Sequence, residues 1–150
     1  MIMVSACLAG VACRYDGGDQ LIRKIQQLTE REEAVTVCPE LLGGLTTPRE
    51  PAEIVGGNGK DVLQGKAKVI DSTGKDVTEK YVEGAYKTLE LVKSLNVDCI
   101  VLKENSPSCG SGFIYDGQFS GQKIVGEGVT TALLKQHGYN IISEQKFMEW

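Results

Sequence analysis

The feature that most constrains the fold is a set of short segments that are apolar almost without interruption. They span residues 1–5, 34–38, 99–103 and 139–143. Apolar side chains at nearly every position, rather than at every second one, are typical of strands that are buried on both faces of a parallel sheet. A sheet of this kind needs helices on both sides, so the remaining sequence has to supply them.

Helix-forming stretches lie between these segments. Apolar residues recur three or four positions apart in them, and they predict helices over 19–31, 77–95 and 128–137. Residues 56–76 depart from this alternation, because a glycine-rich loop precedes a strand at 66–70 and a turn at 71–74. We therefore expect residues 1–150 to form one three-layer, Rossmann-like α/β domain with a mainly parallel sheet and a small added β-hairpin.

Three cysteines lie just past the ends of predicted strands. Cys7, Cys38 and Cys109 each stand in a loop that also contains glycine or proline. Because the carboxyl ends of parallel strands meet at one edge of a sheet, these loops are expected to converge there. Thiolates are soft ligands that bind iron–sulfur clusters, zinc or copper(I), and glycine lets the backbone approach a bulky group. The spacing therefore predicts a thiolate metal site at this edge.

The two remaining cysteines call for different interpretations. Cys13 lies in the same loop as Cys7 and could be a fourth ligand, a resolving thiol or, as we favour, a small side chain beside the site. Cys99 begins a predicted strand, roughly 17 Å from the ligand edge at about 3.3 Å per residue. We expect it in the core.

Several polar residues near these loops are candidates for the chemistry. Glu40 could orient water or shuttle protons, or be a solvated loop residue. Ser106 could donate a hydrogen bond to a substrate or cap a turn before a proline. Arg14, Arg49 and Lys103 could supply positive charge to an anionic cluster or substrate, or pair with nearby carboxylates.

Bulk properties narrow the class of protein. The net charge is -4, from 16 basic and 20 acidic residues, which does not suit extended binding to nucleic acid. No apolar run is long enough to span a bilayer and the first residues lack the basic region of a signal peptide, so we expect a cytoplasmic protein acting on a small molecule. His137, the only histidine, lies in the last turn of a predicted helix, where a cation is favourable without any catalytic role.

The loops around the three cysteines resemble those of the bacterial thiouracil desulfidase family. The matching stretches are residues 5–8, 14–17, 37–40, 43–45, 48–49, 65–69, 76–78, 106–110, 117–121 and 126–130. The resemblance implies a 4Fe–4S cluster on Cys7, Cys38 and Cys109 with one iron left open. It implies non-redox desulfuration of a thiolated base such as 2-thiouracil, which releases hydrosulfide and the oxo base. Glu40 and Ser106 correspond to the family's acidic and hydroxyl groups.

One departure from the family keeps alternatives open. Many members have an apolar residue at the position of Cys13, so this chain carries an additional thiol near the cluster. The same thiolates could instead hold zinc in a structural or regulatory protein. Cys7 and Cys13 could also serve a thiol-based sulfur-transfer or redox protein.

Overall fold

A four-stranded parallel sheet lies at the centre of the computed structural model, which describes residues 1–149. The strands are β1 (Ile2–Ser5), β2 (Ala34–Val37), β3 (Ala52–Val55), β4 (Lys68–Asp71), β5 (Cys99–Leu102), β6 (Phe113–Tyr115), β7 (Lys123–Val125) and β8 (Ile141–Ser143). The helices are α1 (Arg23–Glu30), α2 (Pro39–Leu42), α3 (Gly59–Leu63), α4 (Thr78–Ser94), α5 (Val129–Gln136) and α6 (Glu144–Met148). The central sheet has the order β2-β1-β5-β8, so the predicted α/β fold with a mainly parallel sheet is confirmed.

Helices cover both faces of this sheet. On one face Met3 and Ile100 pack with the buried sides of α4 and α5. On the other face Val4 and Val101 pack with Ile25 of α1 and Phe147 of α6. Neighbouring residues of one strand thus enter opposite cores, which explains why these strands are apolar at nearly every position. Among residues 1–149 the structure contains no helix that is both long and apolar enough to cross a bilayer.

The first predicted helix begins later than expected. The sequence analysis placed it at 19–31, whereas α1 covers Arg23–Glu30. The preceding residues are held as a loop, because the amides of Gln20 and Ile22 donate to the carbonyls of Cys7 and Leu8. This loop brings the chain back over the end of β1.

The predicted strand at 66–70 is present as β4, but its partner was not predicted. β4 pairs antiparallel with β3, which precedes it in the chain, and α3 lies between the two. The expected turn at 71–74 is formed, with Asp71 accepting hydrogen bonds from Thr73 and Lys75. A second antiparallel hairpin, β6–β7, also escaped the sequence analysis. Both hairpins form sheets of their own rather than extending the central one.

Close packing between α2 and α4 fixes the segment that follows β2. Gly43 and Gly84 face each other across this contact, and a methyl group on either would overlap backbone atoms of the other helix. The buried face of α4 carries Tyr81, Ala85, Leu89 and Val92, as its helical periodicity predicted. Tyr81 is thereby aimed at the carboxyl edge of the central sheet.

Candidate active site

An open cavity of about 320 Å³ lies at the carboxyl edge of the central sheet. Four cysteines line it, namely Cys7, Cys13, Cys38 and Cys109. Its other walls come from the loops after β1, β2 and β5 and from the two hairpins. The cavity lies where an open parallel sheet usually binds its ligand, and its volume suits a small molecule.

Local structure places the three predicted ligands at this edge. Cys7 lies in a short 3₁₀ turn directly after β1, and Cys38 directly follows β2 as the residue that caps α2. Cys109 lies further along the loop after β5 and is 4% exposed. The structure thus brings together cysteines that are far apart in the sequence, by the strand-end arrangement that the sequence analysis expected.

Cys13 lies among these thiols rather than merely near them. Cys13, Cys7 and Cys38 all line the cavity, and the Cys13 thiol interacts with each of the other two. The interaction with Cys38 lowers the pKa of Cys13, but the interaction with Cys7 and burial outweigh it, so the pKa rises to about 11. The interaction with Cys13, together with burial, raises the pKa of Cys38 above its ordinary value.

Cys109 has different surroundings. Burial raises its pKa most, and the negative charges of Glu40 and Cys38 raise it further. Hydrogen bonds from Ser108 and Ser5 act in the opposite direction, because they stabilise the thiolate. The hydroxyls of Ser5 and Ser108 can therefore stabilise a negatively charged sulfur at Cys109.

Glu40 forms an ion pair with Arg49 in the wall of the cavity. Arg49 Nη2 lies 3.2 Å from Glu40 Oε2, and only 8% and 13% of the two side chains are exposed. Arg49 Nη1 donates to the carbonyl oxygen of Cys13 at 3.0 Å, so this one side chain ties the acid to the Cys13 loop. The Glu40 carboxylate is held in a defined orientation as a result.

Tyr81 is a site residue that the sequence analysis missed. It was assigned only to the apolar face of a helix, where its ring does pack. Tyr81 also lines the cavity, and its hydroxyl lies near the charged groups of Glu40 and Arg49. Burial and the nearby charge of Glu40 raise the pKa of this hydroxyl, so it stays neutral. A tyrosine among aliphatic residues at helical spacing gives no signal of such a role.

Ser106 caps the turn that its sequence context allowed, and its side chain also lines the cavity. Its Oγ accepts hydrogen bonds from the amides of Ser108 at 3.0 Å and Cys109 at 3.2 Å. This turn shapes the backbone around the cysteine. Ser106 also lines the cavity, and among residues 1–149 no acceptor is assigned to its hydroxyl proton.

The three predicted cationic residues all line the cavity but differ in what they contact. Arg49 is committed to Glu40 and the Cys13 carbonyl. Lys103 donates to the Glu104 carbonyl at 3.1 Å and lies 3.9 Å from Glu144. Arg14 lies over the ring of its neighbour Tyr15, 5.6 Å from the centroid, with no ion-pair partner assigned among residues 1–149. Arg14 is thus the cation of the three that remains available to a ligand.

The loop at 117–121 forms part of the cavity wall and depends on another acid that was not predicted. Glu53 of β3 is buried, and its Oε1 accepts from the amides of Gly117 at 2.9 Å and Phe119 at 3.2 Å. Phe119 and Tyr115 line the cavity beside this contact. A single acid in a short strand after a proline gave no sequence signal for this function.

Cys99 and His137, for which the sequence analysis predicted no role in the chemistry, lie away from the site. Cys99 is buried at the start of β5, at the far end of that strand from the cavity, as expected for a core residue. His137 is an exposed residue that caps the carboxyl end of α5. Neither side chain lines the cavity.

The donor set fits a thiolate-bound inorganic cluster. Soft thiols from separate loops surround a cavity, and hydroxyls and backbone amides lie beside them. Among residues 1–149, no group of three or more His, Cys, Asp or Glu side chains is placed to hold a single metal ion. The thiols instead line the cavity of about 320 Å³.

Comparisons with known proteins agree with this geometry. The model of the 2-thiouracil desulfurase family matches residues 2–146. The uncharacterized protein YbbK of Bacillus subtilis (strain 168) is 60% identical over 146 residues, which cover 97% of each chain. A solved structure of TudS, described as a 4Fe–4S-dependent thiouracil desulfidase, is 42% identical with a TM-score of 0.85, over 99% of this chain and 93% of that one. The resemblance seen in the sequence is confirmed: the chain belongs to the 2-thiouracil desulfurase family.

Proposed function

We propose that this protein binds a 4Fe–4S cluster through Cys7, Cys38 and Cys109 and removes sulfur from a thiolated nucleobase such as 2-thiouracil. The observation that carries the proposal is the convergence of these three cysteines on one cavity beside the paired carboxylate of Glu40. Family membership and the likeness to TudS support the same reaction. In it, the thiocarbonyl compound and water give the oxo base, hydrosulfide and a proton, without net transfer of electrons.

The cofactor and the protein make separate contributions. When bound on three thiolates, the cluster supplies an iron with a free position, which acts as a Lewis acid toward the thiocarbonyl sulfur. The hydroxyls of Ser5 and Ser108 stabilise Cys109 as a thiolate. Loading the site requires Cys38 to lose its thiol proton, because ligating sulfur must be deprotonated.

Glu40 is suited to accept a proton from the attacking water. Arg49 holds Oε2, while Oε1 has no hydrogen-bond partner assigned among residues 1–149. A carboxylate with one oxygen fixed and the other available keeps a single orientation as a proton is taken up. The Arg49 contact therefore aligns the base before the substrate arrives.

Ser106 is suited to donate a hydrogen bond to the reacting base. Its oxygen is already held by the amides of Ser108 and Cys109, so the hydroxyl group has few orientations left. The remaining donor can stabilise negative charge that develops on the substrate ring. Arg14 and the rings of Tyr115 and Phe119 lie at the same cavity and fit the faces and polar edge of a pyrimidine.

The test is anaerobic reconstitution with iron and sulfide, followed by incubation with 2-thiouracil. We expect a broad visible absorption band, about four irons per chain from the 4Fe–4S assignment, and release of hydrosulfide together with uracil. A colourless protein that takes up zinc instead would contradict the cluster assignment. An intact cluster without hydrosulfide release would contradict the proposed substrate.

Two variants separate the roles of the polar residues. Glu40→Gln keeps the size of the side chain and removes the base, and we expect roughly 100-fold or greater loss of turnover with the cluster retained. Ser106→Ala removes one donor and is expected to lower turnover by about 100-fold. Cys99→Ala is the control, since its thiol lies outside the cavity. Full activity of Glu40→Gln would exclude a general-base role.

A further inference from the structure

A second carboxylate at the cavity is placed to recognise the substrate. We propose that Glu53 accepts a hydrogen bond from a ring N–H of the base, and that it thereby selects cyclic thiocarbonyl compounds with a free N–H beside the thiocarbonyl carbon. The inference rests on the proposed desulfuration, whose substrate class it narrows. Glu53 is a specificity-determining residue in this scheme and moves neither protons nor sulfur.

The first observation is that one oxygen of Glu53 is occupied and the other is free. Oε1 accepts hydrogen bonds from the amides of Gly117 at 2.9 Å and Phe119 at 3.2 Å. Within residues 1–149 no protein group is assigned to Oε2, although Glu53 as a whole is only 8% exposed. A carboxylate oxygen of so buried a residue calls for a partner, because leaving it without one costs free energy.

The second observation is that this free oxygen has access to the cavity. Glu53 lines the cavity, and in the part of the chain that the structure describes no side-chain nitrogen or oxygen is fully buried without a partner. Oε2 is therefore open to the cavity rather than enclosed by protein. Glu104, another acid that lines the cavity, differs because both of its oxygens accept hydrogen bonds from its own loop. Glu53 thus offers a ligand an acceptor that Glu104 does not.

The third observation is that the same carboxylate positions an aromatic ring. Phe119, whose amide Glu53 binds, lines the cavity and is 41% exposed. Its backbone has φ +55°, in the left-handed region that a bulky residue rarely adopts, so the surrounding contacts impose this conformation. Gly117 packs so closely on β3 that an added methyl group would lie 2.5 Å from the Ile54 carbonyl oxygen. The acceptor and the ring are thereby fixed relative to each other.

These features match the edge and the face of a flat heterocycle. A carboxylate oxygen accepts a hydrogen bond and cannot donate one, so it favours a ring N–H and disfavours a ring nitrogen that is itself an acceptor. In 2-thiouracil both ring nitrogens carry a hydrogen and flank the thiocarbonyl carbon. A bond from either nitrogen to Glu53 orients the base in its plane, while Phe119 packs against its face. A base that lacks this N–H leaves the acceptor unpaired and binds more weakly.

The first test measures turnover of 2-thiouracil by cluster-loaded protein that carries Glu53→Gln. Glutamine keeps an oxygen for the two loop amides and places an NH₂ donor at the position of Oε2. We expect KM to rise about 10- to 100-fold, the range for a hydrogen bond to a charged group, with kcat and iron content within about twofold of the wild type. An unchanged KM, a fall in kcat alone or loss of iron would overturn the proposal.

Glu50→Gln is the matched control for the loss of charge. Glu50 also lines the cavity, but it is exposed and its Oε2 accepts from the Ser72 hydroxyl at 2.7 Å. We expect KM to stay within about twofold of the wild type in this variant, because exposed charges are well screened. An equal rise of KM in both variants would indicate a general effect of charge and contradict recognition by Glu53.

The second test separates recognition from a structural role of Glu53. Equilibrium dialysis of the loaded protein compares uracil, 1-methyluracil and 3-methyluracil. In the wild type one methylated base should bind at least about 10-fold more weakly than uracil, because it lacks the recognised N–H. Glu53→Ala removes the acceptor and leaves room for the methyl group, so this ratio should fall to about threefold or less. Loosening of the loop at 117–121 affects all three ligands alike and cancels in the ratio.

The same ratio in wild type and Glu53→Ala would overturn the proposal, and so would wild-type protein that binds none of the three bases or does not distinguish them. Circular dichroism checks that both Glu53 variants are folded. Release of hydrosulfide with an unchanged KM in Glu53→Gln would remove the inference and leave the proposed function. Discrimination among the uracils through Glu53 without release of hydrosulfide would support recognition of the ring N–H and remove the desulfuration.

Discussion

Two loops that border the same cavity are held in opposite ways. The Cys109 loop, residues 103–112, docks on the start of α5 through backbone contacts: the amides of Val129 and Thr130 donate to the carbonyls of Pro107 and Ser108. Thr131 adds a hydrogen bond from its hydroxyl to the carbonyl of Cys109 at 2.9 Å. Residues 108–110 of this loop are buried, and Cys109 belongs to the core.

The Cys13 loop, residues 10–22, is mostly exposed. Apart from local turns, it is attached by amides near its end and by the contacts of Arg49. One wall of the cavity is therefore fixed by close backbone packing, and the other by Arg49 and the amides of Gln20 and Ile22. The backbone around Cys109 is therefore fixed more firmly than the loop that carries Cys13, although the Cys13 side chain itself is buried.

The largest difference between the two loops is expected in cofactor binding. Cys109→Ala removes a proposed ligand from the fixed wall and should abolish incorporation of the 4Fe–4S cluster, because two thiolates cannot hold it. Cys13→Ala should retain it. Iron and sulfide content after anaerobic reconstitution measures both. Equal loss in the two variants would make Cys13 a ligand and remove the contrast.

Stability should be most sensitive at the fixed wall. A methyl group at Gly128 would overlap the backbone of Ser108 and lie 2.8 Å from the Cys109 amide nitrogen. We expect Gly128→Ala to lower the free energy of unfolding by about 3 kcal/mol, since backbone atoms cannot move aside. In the same loop, the added methyl of Gly112→Ala meets only Glu104 Oε2 at 3.6 Å and should cost less than about 0.5 kcal/mol. Urea denaturation of both variants compares them directly.

The adjustable wall should respond to loss of Arg49. Arg49→Met leaves Glu40 without its partner in a largely buried setting, and we expect a cost of about 2 kcal/mol, below the range for fully buried pairs because Glu40 keeps some exposure. Hydrogen exchange should accelerate in residues 11–18. Lys87→Met is the control: it removes one partner of the exposed pair with Glu83 and should change stability by less than about 1 kcal/mol. Unchanged exchange in Arg49→Met would show that Arg49 does not hold this loop.

The smallest expected effect is on how the free energy of unfolding changes at acidic pH, through Glu104 in the Cys109 loop. Burial alone would raise the pKa of Glu104, but the amides of Gly112, Phe113, Ser111 and Asn105 outweigh it and hold the pKa below its usual 4.5. A carboxyl with a lowered pKa adds stability that is present above pH 4.5 and is lost as the pH falls through the folded value.

Glu104→Gln should therefore lose about 1 kcal/mol at neutral pH, and the gap to the wild type should narrow as the pH falls below 4.5. Urea midpoints at several pH values test this. A gap that widens toward acid would show that the amides do not stabilise the charged form.

The parts of the site that follow from strand ends could be predicted from the sequence. Cys7 and Cys38 directly follow β1 and β2, so one rule about parallel sheets brings them together without any local metal-binding motif. The central strands were found for a related reason, since their burial on both faces makes them apolar at almost every position.

The parts of the site that depend on contacts between distant side chains could not be predicted from the sequence. Tyr81 looks like a core residue until the fold places it beside the charges of Glu40 and Arg49, and Cys13 looks peripheral until its loop brings it to the same cavity as Cys38. The short strands β3, β6 and β7 escaped prediction because three or four residues carry too little periodicity to identify. Because β3 was not predicted, the position of Glu53, which lies in β3, was not predicted either.

The order β2-β1-β5-β8 also bears on how the protein is made. The wall that holds Cys109 rests on α5, so this wall is complete only after residue 136 has been synthesised, long after Cys7 and Cys38. No fragment that emerges early contains all three converging thiols. Any inorganic group that needs all three thiols together has to be delivered after residue 109 has been made, and until then Cys7 and Cys38 are without their third partner.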